Sequence, residues 1–97
     1  MSALPATLTI KDARAAVRAL EPAVGEGSGV LAIDASALQS FDTSAIATLL
    51  ELRRQAQAVG RTLVVTGAPS SMVELAGLYG VAELLGFEPA GQSSARA

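Results

Sequence analysis

The chain is expected to fold as an α/β domain with a mostly parallel sheet of about four strands and alternating helices, on three observations. Short apolar or β-branched runs, such as Val30-Leu31-Ala32-Ile33 and Leu63-Val64-Val65, have the length of strands. Longer stretches between them carry apolar residues three and four apart, the spacing of one helix face. Glycines stand at the junctions. Strands joined by helices in this alternation lie parallel through right-handed crossovers.

In Leu4, Ala6, Leu8 and Ile10 the apolar positions alternate, the pattern of a half-buried strand over 4–10, and Pro5 marks an edge or a strand start. A helix follows from Asp12 to Val24, with Ala13, Ala16, Val17 and Leu20 on one face and Arg14, Arg18 and Glu21 on the other. Thr9 is its expected cap, and Asp12 suits the positive helix start. The glycines of 25–29 end that helix, and the unbroken run 30–33 reads as a buried central strand ending at Asp34. Asp42-Thr43-Ser44 opens a long helix with a stripe of Ala45, Leu49, Leu52, Ala56 and Val59, closed by Gly60. Residues 61–66 form a further central strand. Ser70 or Ser71 caps the next helix, Ser71 and Glu74 making a capping box, and Met72, Leu75, Ala76 and Tyr79 form its apolar face up to Gly80. Val81 to Phe87 is a short last element, helix or strand. One domain over 1–90 is expected, with a disordered tail over 91–97.

The composition narrows the chemistry. With no cysteine and no histidine, disulfides, thiolate metal sites and the commonest general base are absent. Nine carboxylates scattered along the chain form no acidic cluster for a hard cation. A net charge of −2, no Lys/Arg run and three aromatic residues argue against a nucleic-acid surface. No apolar run approaches the roughly 20 residues of a membrane span, and no secretory pattern opens the sequence. No catalytic residue, metal or cofactor is expected, and the expected location is the cytoplasm. At this length folding leaves little room for an enclosed active site, which favours a function carried on the surface.

Three places hold candidate groups. Asp42, Thr43 and Ser44 set a carboxylate and two hydroxyls at the positive end of a helix, where an N-cap and an anion or phosphoryl group are both accommodated. The glycine turn 25–29 superficially resembles a phosphate loop, but it precedes a strand and no Lys-Ser/Thr pair follows it. Arg53, Arg54 and Arg61 form a modest basic patch, either a solvated helix face or a contact for an acidic partner. Asp34, with Ser36 nearby, is expected to brace a turn.

From Asp34 through Phe41-Asp42-Thr43-Ser44-Ala45-Ile46 the sequence resembles the STAS family, with its strand ending in aspartate, short loop and Asp-Ser-Ser-Gly-Leu-like helix opening. Leu4-Pro5-Ala6, the stretch 49–54, Gly60-Arg61 and the stretch 75–81 resemble the MlaB branch, the cytoplasmic STAS subunit of a Gram-negative phospholipid ABC transporter that maintains outer-membrane lipid asymmetry. The resemblance implies a mixed sheet flanked by helices. It also implies a non-enzymatic subunit that binds and regulates the transporter ATPase, MlaF in that branch, and reaches the inner membrane indirectly through the permease. Partner contact then falls to Asp42, Thr43, Ser44 and Ala45. Thr43 matches the contact hydroxyl of MlaB relatives, and Ser44 matches the phosphorylated serine of anti-sigma-factor antagonists. Ser44 and Thr43 are thus the candidate phosphorylation positions, and an anti-sigma-factor kinase is the alternative partner. Ala45 stands where the family has glycine.

Overall fold

The computed structural model describes residues 2–88. The expected tail over 91–97 lies outside the described residues. Six strands and four helices follow one another as β1 (Ser2–Ala3), β2 (Thr7–Leu8), α1 (Ala13–Gly25), β3 (Val30–Asp34), β4 (Ser40–Phe41), α2 (Thr43–Ala58), β5 (Thr62–Thr66), α3 (Ser70–Leu78), α4 (Ala82–Leu85) and β6 (Phe87–Glu88). The main sheet has the order β1-β3-β5-β6, a small second sheet pairs β2 with β4, and every described pair is parallel. The α/β class with a mostly parallel four-stranded sheet is thus present.

The order of the main sheet explains its layering. Each crossover, through α1, then α2, then α3 and α4, moves one strand further in the same direction. Right-handed connections of that kind place all their helices on one side. The core sits between sheet and helices: Leu31, Ile33, Leu63 and Val65 point inward to meet Leu20, Val24, Leu49, Leu52 and Leu85. The alternate residues point away, leaving Val30, Ala32 and Thr62 exposed. The expectation that 30–33 is a buried central strand is therefore corrected: it is central in order but covered on one face only.

Other local readings shift for identifiable reasons. The single strand expected over 4–10 is two short pieces in two sheets. Leu4 N–H still donates to the Asp34 carbonyl at 2.8 Å, but Pro5 has no donor to continue the ladder. The chain bends and rejoins at Thr7-Leu8, leaving Leu4 and Leu8 buried while Ile10 is 77% exposed. Thr9 does not cap α1; its N–H and its hydroxyl both donate to the Asp12 carboxylate, at 3.0 and 3.1 Å, closing a turn ahead of the helix. In α2, Val59 is the C-cap residue and exposed, because the chain leaves the helix there and reverses at Gly60 with φ of +77°. The expected stripe misses two inward positions, Ile46 and Thr48, both buried.

No capping box opens α3. Pro69 is its N-cap, and Ser70 and Ser71 already lie inside the first turn. Met72 and Ala76 are buried, whereas Tyr79 falls beyond the last turn and is exposed. The short last element turns out to be a helix, α4, followed by a strand, β6.

Arg61 stands apart from the expected basic patch. Its guanidinium is buried, donating to the carbonyls of Ala23 at 2.8 Å, Val24 at 3.0 Å and Val30 at 3.0 Å. It thereby satisfies the Val24 carbonyl and adds to the Glu26 N–H already on the Ala23 carbonyl, at a helix C-terminus that favours a cation. Arg54 is tied to Glu51 by an ion pair on the surface. The patch expected from 53, 54 and 61 therefore does not exist as a patch.

Candidate functional site at the α2 entrance

β4 delivers the chain to Asp42 in an extended conformation, φ −129° and ψ −166°, from which its side chain folds over the helix start. One carboxylate oxygen accepts Ser44 N–H at 2.8 Å, and the Asp42 carbonyl accepts Ala45 N–H at 3.0 Å. This is an N-cap that occupies donors at the positive helix end. The other carboxylate oxygen reaches Ile10 N–H at 3.2 Å, across 32 residues of sequence. These hydrogen bonds, the one from Ser44 N–H foremost, hold the Asp42 carboxyl below the usual carboxylate range.

The second bond of Asp42 assembles the surface. It fixes the turn between β2 and α1 against the α2 entrance, so the backbone that carries the exposed Ile10 is held at Asp42, one residue before Thr43. Thr43 is exposed and Ser44 half-buried. The expectation for Ala45 is corrected: it is fully buried, its methyl group packed into the core, and it has no surface to offer a partner. Ile10 was missed because a strand pattern counted it inward. The polar Lys11-Asp12 pair directly after it is the signal that the strand had already ended.

Asp34 braces the loop leaving β3, accepting Ser36 N–H at 2.8 Å; the Ser36 hydroxyl first, and then this N–H, keep its carboxyl below the usual range. An open groove of about 520 Å³ separates α1 from α2, lined by Arg14, Arg18, Glu21, Thr48 and Glu51 among others. Its carboxylates are already engaged. Gln55 donates to both Glu21 and Glu51 at 3.0 Å, and Arg54 and then Gln55 draw the Glu51 carboxyl down to about 2. Among the described residues no cluster of metal-ligating side chains occurs, and no helix is long and apolar enough to cross a membrane.

The pattern is a parallel sheet whose third strand ends in a turn-bracing aspartate, followed by a helix opened by Asp-Thr-Ser. The profile of the family described as Mlab, STAS domain matches residues 3–86. The chain belongs to the STAS family, in its MlaB-like branch. No curated protein and no solved structure matches it. The STAS match runs from β1 to the turn before β6 and so includes the α2 entrance. STAS domains are in general regulatory rather than catalytic.

Proposed function

We propose that this STAS domain is a non-enzymatic regulatory subunit that docks through the α2 entrance onto the ATPase of a phospholipid-transport ABC system of the Mla type. The observation that carries the reading is the bond from Ile10 N–H to Asp42 at 3.2 Å. It ties a 77% exposed isoleucine to the capped helix start whose first residue is the exposed Thr43. An exposed apolar side chain next to a hydrogen-bonding group on a fixed backbone is the make-up of a protein-docking surface. The MlaB-like family match supports an ATPase as the partner, and the subunit reaches the inner membrane through that partner.

The alternative, a phosphorylation-controlled anti-sigma-factor antagonist, requires a phosphate on Ser44. The Ser44 backbone N–H is already taken by the Asp42 carboxylate, so a phosphate there faces a fixed negative charge rather than a free helix start. Affinity purification of the tagged chain from its own cell, with partners identified by mass spectrometry, separates the two. Co-purification of an ABC ATPase with an integral permease is the expected result. Recovery of a histidine-kinase-like anti-sigma factor, with Ser44 partly phosphorylated, overturns the proposal.

A further inference from the structure

Parallel sheets normally have both faces covered, because their crossovers usually distribute helices on either side. Here all the crossovers run one way, and on the outer face Val30, Ala32 and Thr62 are exposed while Asp34, Val64 and Thr66 are half-buried. Register places Ala3, Asp34 and Thr66 in one row across that face, with Ala32 and Val64 in another and Val30 and Thr62 in a third. Val30 is 60% exposed, and Ala32, in the second strand of four, is also exposed.

The size of the face decides what fits it. β3 and β5 contribute five residues each, flanked by two-residue strands. At about 4.8 Å between strands and about 3.3 Å per residue, the patch covers on the order of 250 Å². A stable symmetric dimer takes about 800 Å² per partner, so a second copy laid on this face falls well short. A single helix about 10 Å across and some three turns long matches it.

Charge gives the occupant's character. Asp34 closes one end of the face, whereas Glu26 is the C-cap of α1 and belongs to the helical side. The described Lys and Arg residues belong to α1, α2, the turn before α1 and the buried Arg61, all off this face. A carboxylate with no cation beside it on the face disfavours an anionic lipid surface.

We infer that the open sheet face, centred on Ala32 and Val64, receives one amphipathic helix of a partner protein, its apolar stripe against Val30, Ala32 and Val64 and a basic end toward Asp34. This surface is separate from the α2 entrance, which lies on the helical side. A subunit with both contacts joins two segments of an assembly.

Placing a photo-crosslinking benzoylphenylalanine at position 32, and separately at 62, in the full chain within its own cell tests this. The expected adducts map to one partner segment with apolar residues three and four apart and Lys or Arg at one end. A synthetic peptide of that segment then binds the purified chain and loses at least tenfold in affinity on Ala32→Arg or Thr62→Arg, with the thermal midpoint of each variant retained. Thr43→Arg, which blocks the α2 entrance, leaves the adducts at 32 unchanged, so failure of the docking proposal and failure of this one are told apart. Adducts between copies of the chain, adducts to a segment lacking that pattern, no adduct at either position, or peptide binding indifferent to both substitutions would each overturn the inference.

Discussion

Asp42 makes two kinds of bond at once, a cap on its own helix and a tie to a distant turn. Asp42→Ala is expected to lower the thermal midpoint by roughly 5 °C at neutral pH. The sign of the pH dependence follows from its lowered pKa. The contribution is complete above the unfolded carboxylate value of about 3.9 and is lost as pH falls through the lower folded value, so the gap between wild type and variant narrows below about pH 4 in a melting series. Thr48 presents the opposite case, a hydroxyl buried in α2 with no hydrogen-bond partner. Thr48→Val removes that unpaired group at nearly the same volume. It is expected to raise unfolding free energy in a denaturant titration by about 1 kcal/mol. The cap was legible in the sequence, since an aspartate before Thr-Ser and a helical stripe has few other roles. The tie to Ile10 was not, because a side chain choosing a backbone N–H 32 positions away leaves no local trace.

Among the elements, those with long periodic patterns were read well and those two residues long were not. α1, α2 and β5 lie within a residue or two of the expected bounds. β1, β2, β4 and β6 exist only through their pairing partners, and two residues are too few to show a period. Arg61 illustrates the same limit from the other side: as sequence it joins two neighbouring arginines, yet its guanidinium belongs to the end of α1. Replacing it with alanine removes a donor from three carbonyls, the Val24 bond buried and the other two partly buried, and should cost about 2–3 kcal/mol in equilibrium unfolding. Gly86, between α4 and β6, is held at φ +59°, and a Cβ there would meet the Leu63 carbonyl oxygen at 2.9 Å. Gly86→Ala should therefore destabilise by about 1–3 kcal/mol, seen as a lower midpoint in thermal melting, whereas alanine at the exposed Gly77, which has open space around it, should change little.

At the scale of the molecule, the alternation of strand and helix was enough to define the class, but not which side of the sheet the helices take. A buried run and a half-covered run look alike when the exposed residues are Val30 and Ala32. Strand order settles the matter, and only three-dimensional pairing reveals it. The resulting architecture places a capped helix start, with Ile10 and Thr43 exposed beside it, on a rigid base, so that contact can be altered there without unfolding the domain. The most direct test of the docking proposal is the affinity of the purified chain for the ABC ATPase proposed as its partner, taken from the same cell and measured by calorimetry for wild type and Thr43→Ala. The account predicts at least tenfold weaker binding with a thermal midpoint within a few degrees of wild type, since Asp42 alone supplies the cap. Unchanged affinity, or a large loss of stability with binding intact, would contradict it.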